Sequence, residues 1–250
     1  MIVFLNGVEN KKHRTVMREV GVKNACLSFP WAKNYDKIDW NYELYFLDRL
    51  VVDHGIPLLE YPKNEAELDA LKEYGELYCD FLLKYKDIID FAFEIPQLGC
   101  FTQDYCSGVE IVPFFSRDMF NFLLEEPKVA ISAQQVETPF FANYYKQMRD
   151  KTSMHGYNMS KIPNDLRIDS VNTMSWLLGR YGYTYYYDGK QLGLYKKKKE
   201  NYRSFVARKM INEGHDLNYN KILKDDIDEV NKMNLISWSL YSNSVSSRRK

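Results

Sequence analysis

Residues 50–94 read LVVDHGIPLLEYPKNEAELDALKEYGELYCDFLLKYKDIIDFAFE, and the fold class follows from this stretch. It opens on a short apolar run, 50–52, and closes on another, 89–93. Between them Asn64 caps an amphipathic segment reaching about Tyr85, with Leu68, Leu71, Leu77, Phe81 and Leu82 at helical spacing. Strand, helix and strand in that order make a parallel crossover unit.

The same alternation extends both ways. Upstream lie an apolar run at 2–5, a helix at 10–20 ended by Gly21, a strand at 24–29, and a segment at 39–50 with Tyr42, Leu44, Phe46 and Leu47 at helical spacing. Downstream, strands are expected at 109–115, 128–132, 153–157 and 167–171, with helices at 118–124 and 138–150. The runs at 25–29, 51–53, 89–93, 109–114, 128–132, 154–157 and 168–171 are assigned as barrel strands. A doubly wound open sheet has the same periodicity, but more often carries a Gly-rich phosphate turn after its first strand, and none is present. At 250 residues, the expectation is α/β: a (β/α)8 TIM-type barrel. A hairpin at 182–187 and 192–196 turns around Asp188-Gly189, and helices follow at 201–213 and 224–241. Without a repeat or linker, residues 1–250 form one domain. Its core covers about 1–180, and the C-terminal β-hairpin and basic helical extension about 181–250.

Lys plus Arg equals Asp plus Glu at 34 each, so total charge argues for neither nucleic acid nor membrane. Cys26, Cys79, Cys100 and Cys106 match no zinc spacing and read as reduced thiols. No run approaches the length of a membrane span. No metal or cofactor is expected, and a soluble cytoplasmic protein is. The 20 Tyr are read as packing before base stacking, including Tyr181, Tyr183, Tyr185, Tyr186 and Tyr187 in the hairpin.

In a parallel barrel, chemistry gathers at the C-terminal ends of strands. The polar residues that follow the apolar runs are therefore the candidates. They are Asp53-His54-Gly55, Glu94 before Pro96, Ser132-Ala133, His155-Gly156-Tyr157-Asn158, and Asn172 with Trp176. Lys196, Lys197, Lys198 and Lys199, with Arg203, Arg208, Lys209 and the basic end 248–250, make the last third locally basic and suited to phosphate contacts.

In order, these motifs resemble the tRNA-guanine transglycosylase superfamily, in its phage and archaeal-like branch. The resemblance spans roughly residues 2–195. Val52-Asp53-His54-Gly55 is similar to the family's Asp-Ser-Gly step, and Ala92-Phe93-Glu94 to its apolar-Phe-acid strand. Ser132-Ala133 stands where the family has a Gly-Gly step, and Met154-His155-Gly156 where it has a His-Gly or Met-Gly step. Val171-Asn172-Thr173-Met174-Ser175-Trp176-Leu177, followed by Arg180-Tyr181-Gly182, resembles its nucleophile strand.

The resemblance implies Asp53 as acid/base and Glu94 as reader of the base. Ser132, Ala133, His155, Trp176 and Arg180 would line the substrate site, and Lys196, Lys197, Lys198, Lys199 and Arg203 would meet nucleic acid. The implied activity is exchange of guanine or a 7-deazapurine base in tRNA or DNA. A carboxylate nucleophile is needed to attack C1′. Here that position is Asn172, and Asp169 lies three residues upstream, an odd offset that turns it to the other face of a strand. The family's zinc cluster is also missing. Two classes therefore stay open: an exchange enzyme, active or impaired, or a noncatalytic binding module. The second would hold a base, a nucleic acid or a catalytic partner subunit, or act as a homodimer. An unrelated barrel enzyme acting on a small sugar or nucleotide is a third reading.

Overall fold

The computed structural model describes residues 1–31, 37–58, 60–159, 166–196 and 200–247. The chain runs β1 (Ile2–Asn6), α1 (Lys11–Glu19), β2 (Asn24–Ser28), α2 (Trp40–Glu43), β3 (Arg49–Asp53), α3 (Glu65–Lys84), β4 (Phe91–Phe93), α4 (Phe101–Tyr105) and β5 (Ile111–Val112). It continues through α5 (Phe120–Leu123), β6 (Lys128–Ser132), α6 (Ala133–Val136), α7 (Pro139–Met148), β7 (Ser153–Tyr157) and β8 (Ser170–Thr173). These eight strands form one sheet in the order β5-β4-β3-β2-β1-β8-β7-β6, and every pairing in it is parallel. A parallel bridge between Phe114 and Ala130 joins its two outer edges. There Phe115 N donates to Ala130 O at 2.7 Å, and Ala130 N to Pro113 O at 2.9 Å. Pro113 has no N–H to give, and the β5 ladder is two residues long before it. The result is a (β/α)8-type barrel with flanking helices.

Ile2–Asn6 is a barrel strand that the seven assigned runs omit. It pairs with β2 on one side and β8 on the other, so it joins the first and last parts of the barrel. Successive residues face opposite sides of the sheet, and both sides are buried. Val3 and Leu5, Ala25 and Leu27, Leu50 and Val52, and Val129 and Ile131 belong to the core between sheet and helices. Phe4, Cys26, Val51 and Ala130, the residues between them, fill the barrel interior with Phe91, Phe93, Val112 and Phe114. This is the period of two expected of strands buried on both faces.

The helices follow local chemistry. Asn10 Oδ1 accepts from Lys12 N and His13 N to start α1, and Gly21 follows its end with φ +73°. Asn64 accepts from Glu67 N to start α3. The buried stripe of α3 is Gly75, Tyr78, Cys79, Phe81 and Leu82, with Leu77 exposed rather than in the core. The helix expected over 39–50 is only Trp40–Glu43. Asp39 caps it, and the chain turns by Asp48, whose N–H already bonds Lys23 O ahead of β3. Tyr42, expected on the core face there, is exposed.

After β8 the chain forms a 3-10 turn at Ser175–Tyr181, then the antiparallel hairpin β9 (Tyr183–Tyr187) and β10 (Leu192–Lys196). Tyr187 pairs with Leu192, so the connection has four residues rather than two, and Asp188 Oδ1 accepts from Lys190 N and Gln191 N across it. Helices α8 (Glu200–Asn212), α9 (Tyr219–Leu223) and α10 (Ile227–Ser247) pack with Tyr186 into a second core containing Val206, Met210, Val230 and Met233. Helix α10 also flanks the barrel. Ser242 Oγ donates to Val3 O at 3.2 Å, and Asn231 Oδ1 accepts from Gly179 N at 3.1 Å. A Cβ at Gly179 would lie 2.5 Å from Asn231 Oδ1, so this close approach needs glycine. Among the described residues no helix is long and apolar enough to cross a membrane.

Candidate active site in the barrel mouth

All eight strands point one way, so their C-terminal ends surround one mouth. Beneath it a polar network crosses the interior. Asn172 on β8 is fully buried. Its Oδ1 accepts from the backbone N–H of Asn158 at 2.9 Å, which fixes the orientation of the amide. His155 Nε2 lies 3.1 Å from the same oxygen and must therefore carry the hydrogen. His155 Nδ1 is then left to accept from Ser170 Oγ at 2.8 Å. Asn172 Nδ2 donates to Asn6 Oδ1 at 3.3 Å and lies 3.6 Å from Cys26 Sγ. His155 is a satisfied core histidine. Burial pushes its pKa down to about 3, against the bond to Asn172 and helped by the charge of Lys128.

Asp53, at the end of β3, is buried above this network. Its Oδ1 accepts from Gly55 N at 2.9 Å and from the Tyr157 hydroxyl at 2.8 Å, reaching in from β7. Gly55 has φ +70°, and a Cβ there would meet Pro30 Cγ at 2.2 Å, so the turn holding Asp53 requires glycine. Burial and the Asp53 charge push the Tyr157 phenol up. His54 is wholly buried, and its Nδ1 accepts from Ile56 N at 3.0 Å. Its hydrogen therefore sits on Nε2, which finds no acceptor among the described residues.

A second carboxyl, Glu9, joins the mouth from the loop after β1. Its Oε2 accepts from Ser28 N at 3.4 Å. Ser28 is the register partner of Asp53, and such Cα atoms lie about 4.8 Å apart. Burial pushes the Glu9 carboxyl up and the Asp53 charge adds to this, against the backbone bonds and Arg14. Burial also pushes the Cys26 thiol up, with Asp53 and Glu9 both adding, so both carboxyls lie near the sulfur that touches Asn172. Arg14 secures the Glu9 loop, donating to Val8 O at 3.1 Å and Glu9 O at 2.8 Å while pairing with Glu43 at 2.9 Å.

The structure thus gathers Asp53, His155 and Asn172 and separates them from the other candidates. Trp176 is buried behind them, its Nε1 donating to Asn6 O at 2.9 Å. Ser132 is the register partner of Tyr157 at the rim, where its N–H binds Gln135 Oε1, and Ala133 is exposed at the start of α6. Glu94 faces the outer layer. Its carboxylate accepts from Ile95 N, Thr102 N and Gln103 N at 3.0 Å each and caps α4. Asp169 precedes β8 at the opposite end of the barrel, where it accepts from Met154 N at 3.3 Å. Arg180 is exposed, with its guanidinium over the ring of Tyr181. Arg203 bonds Thr184 Oγ1 and pairs with Asp225, tying α8 to the hairpin. Lys196 ends β10, while Lys197, Lys198, Lys199 and 248–250 lie outside the described residues.

Glu9 and Asn6 were not singled out from the sequence, Cys26 was read only as a reduced thiol, and Tyr157 entered only within the stretch His155-Gly156-Tyr157-Asn158, without a role. A signal existed for Glu9, because it closely follows an apolar run at 2–5 that was not counted as a barrel strand. Among the described residues no three His, Cys, Asp or Glu gather as a metal site would need. A scan against protein-family models, a search of the curated proteins and a search of the solved structures each find no match to the chain.

Proposed function

We propose that this barrel receives a purine or 7-deazapurine base of tRNA or DNA in its mouth, against Asp53. In this reading it is a transglycosylase-like binding protein that does not run covalent exchange through residue 172. The observation that carries the reading is the state of Asn172. Exchange through this position needs a carboxylate able to reach C1′. Asn172 is neutral and fully buried, and its oxygen and nitrogen are spent on Asn158, His155 and Asn6. Asp169 lies at the other end of the barrel. Asp53 supports the base-holding half of the reading, because among the described residues its hydrogen-bond partners all meet Oδ1. Its Oδ2 remains to accept from a base N–H.

The test combines calorimetric binding of guanine and 7-deazaguanine with incorporation of labelled guanine into tRNA and duplex DNA. The expected result is binding without incorporation, weakened about tenfold or more by Asp53→Asn, as loss of a hydrogen bond to a charged group would do. Incorporation into either polymer overturns the noncatalytic half. Absence of base binding by the folded protein overturns the base-holding half.

A further inference from the structure

The hairpin that follows the barrel has two edges, and the chain treats them differently. On β9, Tyr185 N donates to Asn234 Oδ1 at 2.8 Å, and Tyr185 O accepts from Ser237 Oγ at 2.9 Å. Tyr183 O accepts from Asn234 Nδ2 at 3.3 Å. Asn234 and Ser237 are fully buried on α10, so helix side chains stand in for a third strand along this edge. Those bonds also fix how β10 is turned. Both backbone groups of Tyr185 point away from β10, so Tyr185 and its register partner Leu194 are a non-hydrogen-bonded antiparallel pair. The N–H and C=O of Leu194 then point away from β9. By the alternation of the ladder the same holds for Leu192, opposite Tyr187, and for Lys196, opposite Tyr183. Among the described residues the sheet has no third strand on this side, and Leu194 is 47% exposed there. Such an edge is a row of donors and acceptors on which another chain can pair.

Charge selects the occupant. Lys190 is exposed just before β10, Lys196 ends the strand, and Lys197, Lys198 and Lys199 follow in the sequence. Asp188, the acid at the hairpin tip, is held by Lys190 N and Gln191 N. A second copy of the chain fits this edge badly. Paired antiparallel about Gly193 it sets Lys190 opposite Lys196, and paired parallel in register it sets Lys196 beside Lys196. Like charges facing each other across strands destabilise the pair. An acidic strand meets the same positive charge as a partner. We infer that the free edge of β10 receives an extended acidic segment of a partner protein, added to the hairpin as a third strand. Main-chain bonds to Leu192, Leu194 and Lys196 hold the segment, and the positive charge at both ends of the strand selects acidic flanks. This role does not depend on what the barrel mouth holds.

The experiment uses the full chain and a labelled peptide of alternating Val and Thr with Glu at both ends. Fluorescence anisotropy reads binding, and amide hydrogen exchange followed by NMR reads Leu192 and Leu194. The expected result is binding, with exchange at both amides slowed about tenfold when the peptide stands at about ten times its Kd. Leu194→Pro abolishes binding, because it removes an outward N–H at a position where an edge strand admits proline. Lys190→Glu weakens binding about twofold to fivefold, as loss of an exposed ion pair would. Two further peptides leave the protein unaltered. The same peptide N-methylated along its centre does not bind, and one with Lys at both ends binds more weakly. Equal binding of the N-methylated peptide overturns strand addition, and equal binding of the Lys-ended peptide overturns the acidic preference. No binding of the Glu-ended peptide, or binding that leaves exchange at Leu194 unchanged, overturns the whole inference. Protection at Leu194 that grows with the concentration of the protein alone assigns the edge to a second copy. Protection by tRNA but not by the peptide assigns it to nucleic acid, and either result overturns the inference as well.

Discussion

On the β7, β8, β1 and β2 side of the barrel, the inward positions include His155, Ser170, Asn172, Asn6 and Cys26, joined by hydrogen bonds. On the β4 and β5 side they are Phe91, Phe93, Val112 and Phe114. Both walls are buried to a similar degree, but they stabilise in different ways. The aromatic wall gains from area and ring geometry, and tolerates approximate partners. The polar wall gains little net energy per bond, yet leaves a large penalty if one member is lost. The polar wall underlies the Asn172 position and the mouth, so the functional end of the barrel rests on its less forgiving side.

The largest effect should come from breaking the aromatic wall. Phe93 packs on Phe91, Phe114, Tyr157 and His155 with ring centroids 5.1–5.7 Å apart. Phe93→Ala should cost about 3–5 kcal/mol, measured by denaturant unfolding. A loss below about 1 kcal/mol would mean that the interior collapses around the gap and the wall is not close-packed.

Breaking the polar wall comes next. Asn172→Leu keeps volume but leaves the N–H groups of Asn158 and His155 without their acceptor. At about 1–3 kcal/mol for each orphaned donor, the expected loss is about 3 kcal/mol. Unchanged stability in Asn172→Leu would show that the amide is not the hub of the network and would remove the main support for a spent residue 172.

These two walls were unequally legible in the sequence. Alternating apolar runs and amphipathic segments gave the barrel because strands buried on both faces are apolar throughout, as Leu50, Val51 and Val52 are. The run at 2–5 has the same character but was left out, and Glu9 went with it. Asp53 was legible because it follows an apolar run directly and precedes a glycine. Glu94 looked equivalent by the same rule. It was not, because an acid at a strand end can serve either the mouth or the next helix, and the N–H groups of Thr102 and Gln103 decide that only in three dimensions. The partners of Asn172 come from β1, β2 and β7, up to 166 residues away, and no local pattern encodes such a network.

His155 lies at the seam between the walls, packed on Phe4, Phe91 and Phe93 and bonded to Ser170 and Asn172. Its folded pKa of about 3 is below the ordinary 6.5, so the unfolded chain takes up this proton first as pH falls. The associated stability is fully present above about pH 6.5 and is lost toward pH 3, at about 1.4 kcal/mol per pH unit. Glu9 and Glu94 have raised pKa values and contribute a slope of opposite sign in the acid range, so the wild-type profile alone does not isolate the histidine. His155→Gln can give a hydrogen bond to Asn172 and accept one from Ser170 without titrating. The difference between the two unfolding profiles should therefore show the histidine slope between about pH 6.5 and pH 4. Parallel profiles would mean that His155 can be protonated in place, and the neutral tautomer that ties the polar wall to the aromatic one would have to be given up.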